Sequence, residues 1–130
     1  MATAQQVIND AAGMAGILAT GQTLNASMNA TALNKLNDMV SAWESEGIYL
    51  GLPNLTAADD VLVDAADIRG IKLNLCVELM MHFARPIRAD IMQEARFAKS
   101  DLRAKYFQPI ELKIPVELRI TTENNILTGE

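Results

Sequence analysis

The chain has 130 residues, half of them apolar, with a formal net charge of −5 and a single cysteine. One domain with a core of its own is the expectation, and an aromatic content of 5% with Ala, Leu, Ile and seven Met as filling suits helix-on-helix packing better than a sheet sandwich. The acidic balance argues against tight sequence-independent DNA binding, which needs Lys and Arg against phosphate, and lone Cys76 excludes an internal disulfide. No run approaches the roughly 18 uninterrupted apolar residues of a membrane span, and the N-terminus has no basic signal-peptide start, so the chain is expected to be made and kept in a cytoplasm without a membrane partner.

In chain order, Thr3 with Gln6 three residues on makes a capping box, and the stripe Val7, Ile8, Ala11, Met14, Ala15 and Leu18 predicts a first helix over 4–19. Gly13 and Gly16 each weaken it by about 1 kcal/mol relative to Ala. That cost suggests a neighbouring backbone close by, with the second helix as the expected neighbour. The second helix starts at the N-cap residue Asn25, carries Leu33, Leu36, Met39, Val40 and Trp43 on one face, and stops at Gly47. The short apolar runs 48–52 and 61–63 predict two strands of a small β hairpin, or an extended loop. A third helix, capped by Asp64 or Asp67 and reaching about Ala84, faces inward with Ile68, Ile71, Leu75, Leu79 and His82 or Phe83. It is apolar nearly all round from Leu73 to Met81 and should be the most buried helix.

Arg85-Pro86 breaks the chain before a fourth helix over 87–107, with Ile87, Ile91, Ala95, Ala98 and Leu102 inward. Arg85, Arg88, Arg96, Lys99 and Arg103 form a basic edge within about 80° on this helix. Two readings stand: a solvated face with local pairs such as Arg96 with Asp101, or an edge that meets acidic side chains of a neighbour, such as those around Asp59 to Asp64. Phe97 lies outside both the apolar and the basic side, which points to a partner surface.

From Pro109 the pattern alternates strictly, with Ile110, Leu112, Ile114, Val116, Leu118 and Ile120 on one side. Pro115 limits this to an edge strand or two short ones. It reads as an arm reaching another subunit or as a strand folded back on the 48–63 hairpin. The predicted fold is therefore mostly α, a bundle of four helices with a small β hairpin or extended loop, divided into a helical domain over 1–108 and an extended C-terminal arm over 109–130.

For chemistry the sequence offers no phosphate loop, no paired cysteines and one histidine. His82 reads as a capped, partly buried side chain, Cys76 as a buried reduced thiol and Trp43 as core. Glu44 and Glu46 face different ways on their helix, and Asp59, Asp60 and Asp64 lack the spacing and Gly of a calcium loop. No catalytic residue, no cofactor and no metal is expected.

The stretch GILATGQT followed by LNKLNDMVSAWESEGIYL resembles the opening of phage head-to-tail adaptor (connector) proteins, the group that includes the packaged-DNA stabilisation or tail accessory factors of short-tailed phages. Asn37-Asp38-Met39, Trp43 and Gly47 carry the resemblance, and the later helices, around IKLNLCVELMMHFARPI and ending near Tyr106, agree in order and length, so that it spans about 4–106. It implies a non-enzymatic virion protein, assembled in the bacterial host cytoplasm, that forms a ring of about twelve copies beneath the portal. A tail tube or nozzle protein would lie below, and DNA would pass through the lumen without specific binding. The alternative from the residues alone is a cytosolic helical protein-binding module whose C-terminal strand augments a partner's sheet. On either reading the expected contact residues are Arg88, Arg96, Phe97, Lys99 and Arg103 with the apolar side of the arm.

Overall fold

The structure, a computed structural model, describes residues 2–18 and 22–107. They form four helices, α1 (Ala4–Met14), α2 (Ala26–Ser45), α3 (Ala65–His82) and α4 (Ala89–Tyr106), and no sheet is found among the described residues. The mostly helical, four-helix architecture is the one the periodicity predicts. The proposed arm over 109–130 lies outside the described residues.

Local chemistry sets the helix ends. The Thr3 hydroxyl accepts from the Gln6 N–H and the Gln6 side chain accepts from the Thr3 N–H, while Asn25 caps α2 by accepting from the Met28 N–H at 2.8 Å. α1 stops five residues earlier than its apolar stripe suggested, because Gly16 takes a left-handed φ of 74° and turns the chain. The Gly16 N–H then donates to the Gly13 carbonyl and the Ile17 N–H to the Ala12 carbonyl, the hydrogen-bond pair of a Schellman stop. Gly13 is exposed, and a Cβ built there meets nothing within 4 Å. The close backbone approach expected at these two glycines is therefore absent; Gly16 serves the turn instead.

α2 ends the same way at Gly47 (φ 91°), with Ile48 N–H on the Trp43 carbonyl at 2.8 Å and both apolar side chains buried. α3 repeats the motif with Ala84 in the left-handed position (φ 53°): the Arg85 N–H donates to the Met80 carbonyl at 2.9 Å. A Cβ in that conformation is strained, which the two glycine stops avoid.

α3 is the centre of the packing. It contacts α1, α2 and α4, and α4 touches no other helix. Gly70 and Asn74 face α4, whereas Lys72, about 160° round the helix at roughly 100° per residue, pairs with Asp10 of α1 at 2.6 Å. α1 and α4 thus lie on opposite sides of α3. The α3–α4 pair is antiparallel and close: a Cβ at Gly70 would stand 3.2 Å from Leu102 and 3.3 Å from Ala98, so glycine is what lets α4 seat there. Asn74 reinforces the seat by donating to the Gly70 carbonyl and across to the Ala95 carbonyl.

Of the residues expected to share the core, Leu36, Val40, Trp43, Leu75, Leu79 and Leu102 are buried together, and Ile91 is partly buried against them. α3 is the most buried helix, as its all-round apolar pattern requires. On α4 only Ala95 and Leu102 are fully buried, and Ile87 is exposed because the helix begins two residues later than its apolar spacing indicated.

The hairpin between 48–52 and 61–63 does not form. Ile48, Leu50, Leu52, Leu55, Val61 and Val63 are all buried, but their segments take hydrogen bonds from elsewhere. Ile48 bridges Phe107, and Thr3 bridges Asp60. The first amides of α1, Ala4 and Gln5, donate to the Asp59 and Ala57 carbonyls. Asn37 holds Leu55 from both sides, accepting from its N–H (2.9 Å) and donating to its carbonyl (3.0 Å) as a strand neighbour would. With the backbone satisfied by a helix end, a chain end and one side chain, the two runs have no need of each other.

Two substitutions test this architecture by urea unfolding. Leu75→Ala empties a site with no solvent exposure at the centre and should cost about 2–5 kcal/mol; a change below about half a kcal/mol would show that this side of α3 does not face the core. Ala84→Gly relieves the left-handed Cβ and should raise stability by about 0.5–1 kcal/mol, whereas the same change at Ala30, exposed within α2, should lower it by a similar amount.

Candidate protein interface

The contact residues expected from the sequence within the described residues fall on and just before α4, where the basic edge and Phe97 lie. The edge is shorter than its periodicity indicated, since Arg85 and Arg88 precede the helix. Arg88 is the N-cap residue and pairs with Asp90 at 2.8 Å. The Asp90 carboxyl is held below the usual range by the Ile91 N–H and by Arg88.

Lys99 and Arg103 turn to Glu46 at the C-cap of α2, at 2.7 and 3.5 Å. α2 has no basic residue in its last turn, so these two cations come from a different helix to offset an acidic C-terminus that opposes the helix dipole. Arg96 has no ionic partner among the described residues; the local pair with Asp101 is not made. Phe97 is 59% exposed on the outer face, and Met92, Gln93, Ala89 and Arg96 line a groove beside it. Ile110, Leu112, Ile114, Val116, Leu118 and Ile120 lie outside the described residues.

The other sequence candidates fall into structural roles. Trp43 is 4% exposed and belongs to the core. His82 is exposed in the last turn of α3 with its ring edge-on to Phe83 at 4.9 Å, not partly buried as expected, because it falls with exposed Met81 on the side of the helix that no other described element covers. Cys76 is fully buried, and burial pushes its thiol up to about 11 against a weaker opposite pull from Arg88, which leaves it protonated and unreactive at neutral pH. Asp59 accepts from the Thr56 N–H and Asp64 from Lys105, and no grouping of His, Cys, Asp and Glu suited to a metal occurs among the described residues.

A charged clasp not anticipated from the pattern ties the end of α4 to the start of α3. Asp67, 9% exposed, accepts from the Tyr106 hydroxyl at 2.5 Å and from Lys105 at 2.8 Å, and Lys105 also reaches Asp64 at 2.8 Å. Burial pushes the Asp67 carboxyl up, but the hydrogen bonds from Lys105 and Tyr106 and the charge of Lys105 outweigh it and hold the group below its ordinary value. The hydrogen bonds to Asp64 and then Asp67 raise Lys105, and the bond to Asp67 followed by burial raises Tyr106. The antiparallel helices favour the arrangement, with carboxylates at the positive end of α3 and Lys105 at the negative end of α4. The sequence signal was Asp67 itself, a carboxylate in phase with Gly70 and Asn74 on a helix otherwise apolar at that depth. Such a group needs a donor, and the pattern does not say which one.

No family model, curated protein or solved structure matches the chain. Among the described residues no helix is long and apolar enough to cross a membrane.

The clasp makes stability depend on pH at both extremes. The Asp67 contribution is fully present above its unfolded value of 3.8 and is lost as pH falls through the lower folded value. The Tyr106 contribution is present below 10.0 and is lost as pH rises through its raised folded value. Tyr106→Phe should therefore cost about 1–2 kcal/mol near neutrality. The gap from wild type should narrow at acid and at alkaline pH. A gap constant from pH 3 to 11 would show that the hydroxyl is not bonded to the carboxylate.

Proposed function

We propose that this chain is a non-enzymatic structural protein of a phage virion, a head-to-tail adaptor. In this reading it assembles with itself in a ring of about twelve copies beneath the portal and offers a lower surface to a tail tube or nozzle protein. DNA passes through the lumen without specific binding, and assembly takes place in the bacterial host cytoplasm. The observation that carries the reading is the coincidence between the residues of the resemblance and the residues that build the α2 unit. Asn37 fastens the following loop at Leu55, Trp43 is buried in the last turns of α2, and Gly47 supplies the left-handed stop that turns the chain into Ile48. A motif in which Asn37, Trp43 and Gly47 each carry a distinct mechanical duty is better support than matching letters alone.

Electrostatics support the same reading. Lys99 and Arg103 are engaged by Glu46, and Lys105 by Asp64 and Asp67, so much of the α4 cationic charge is neutralised within the chain. A surface of this kind does not grip a sliding duplex.

The test is the size of the purified chain, alone and mixed with the dodecameric portal of its phage. The adaptor reading expects a ring-sized complex that forms with the portal, and weak duplex binding by the free chain that vanishes at physiological salt. A chain that ignores the portal, or binds duplex DNA tightly at that salt, is not an adaptor of this kind.

A further inference from the structure

Charge on the solvent side of α4 is sorted by sign apart from Lys105, which lies beside Glu94 but turns to Asp64 and Asp67. At roughly 100° per residue, Arg96 and Arg103 lie on one flank and Glu94 and Asp101 on the other, with Arg96 and Asp101 about 140° apart. The exposed stripe between the flanks is uncharged and bears Phe97. Neither Arg96 nor Asp101 has an ionic partner among the described residues. Five residues apart, they cannot reach each other on one helix. Five is, however, the offset at which side chains on adjoining flanks of two parallel helices meet, as in the e and g positions of parallel coiled coils. A groove of about 440 Å³ lined by Ala89, Met92, Gln93, Arg96 and Phe97 opens along the same face. It has room for a phenyl ring from outside, and Arg96 at its wall offers a cation to the face of such a ring.

We infer that α4 is the surface by which one copy of this chain docks on another, with the two helices parallel. The Arg96 flank of one copy meets the Asp101 flank of the next, and the Phe97 ring of that next copy enters the groove beside Arg96. An antiparallel placement would set arginine against arginine, so the sorting of charge selects the direction as well as the partner. The outer face of α4 is free to do this because α3 is the one helix its backbone packs on among the described residues, on the side away from α1, and Lys99 and Arg103 reach the end of α2 from its inner flank. With each flank given to a different neighbour, as the proposed ring requires, the contact is heterologous and continues from copy to copy. The interface thus rests on the self-assembly in the proposed function and gives it a surface.

The experiment is sedimentation of the full chain over a range of concentrations, with no other protein present. Wild type should self-associate, less so as salt is raised. Arg96→Glu and Asp101→Arg should each weaken the association by at least about tenfold, since each sets like charges together. Both positions are exposed, and circular dichroism should show unchanged helix content. Mixed one to one, the two variants should associate as wild type does, because the introduced carboxylate of one then faces the introduced guanidinium of the other across one contact and the native pair fills the next. The double variant should recover for the same reason.

Association of either single variant at wild-type strength, or a mixture that stays apart, overturns the interface and leaves the adaptor reading to the portal experiment. A wild-type chain that stays monomeric at every concentration also overturns it, while binding to the portal would still uphold the adaptor reading.

Discussion

Burial of α3 on all sides is the constraint from which the rest of the structure follows. A helix apolar around most of its circumference needs a cover for each sector, and this chain supplies α1 on one side, α4 on the opposite side and α2 between them. Few aromatics are available, so close approach has to come from small side chains and from backbone. Gly70 against Ala98 and Leu102 is where that requirement is sharpest. Dispersion between closely packed aliphatic surfaces falls off steeply with distance, so a Cβ at that position would cost the α3–α4 seam contacts along its length.

Fastening is done by polar side chains that bond to backbone or to one another across helices. Asn37 holds Leu55, Asn74 ties α3 to α4 at Ala95, and Gln5 exchanges two amide hydrogen bonds with Asn29 between α1 and α2. Each bond contributes little on its own, but each fixes a register that apolar packing leaves loose, because leucine on leucine tolerates sliding and a paired amide does not. No buried side-chain nitrogen or oxygen is without a partner among the described residues. Polar groups placed this deep would otherwise destabilise so small a domain.

Elements with a strong local signature were legible in the sequence. Capping at Thr3 and Asn25, the stop at Gly47 and the burial of the third helix all follow from interactions within a few residues, or from a period repeated over several turns. The segment 48–63 was not legible, since its long-range backbone partners are Ala2, Ala4, Gln5, Asn37 and Tyr106, none nearby in sequence. An apolar run states that a segment is buried and is silent on what pairs with it. The end of α1 failed for a related reason: its apolar stripe continues through Ala15 to Leu18, and Ile17 and Leu18 do pack on the core, but after a glycine turn. For the candidate surface, periodicity identified the exposed Phe97 and the cationic side of α4. It could not identify Glu46 as the partner that takes up Lys99 and Arg103, because nothing in a one-dimensional pattern brings the end of α2 beside the fourth helix.

That partnership bears on what α4 can do. Glu46 sits where the carbonyls of α2 already concentrate negative potential, and Lys99 and Arg103 answer both the carboxylate and the helix end. The clasp of Asp67 with Lys105 and Tyr106 fixes the far end of α4 in the same manner. With Asn74 and Gly70 along the seam, α4 is held at its end, its middle and its inner flank, so its outer face is presented as a rigid surface. Rigid presentation lowers the ordering cost of association, and in the proposed interface Phe97, Arg96 and Asp101 are the sparse contacts that would select a partner and its direction. Charges used to anchor the helix are unavailable to a partner, and the arginine left without an anchor stands beside the exposed ring.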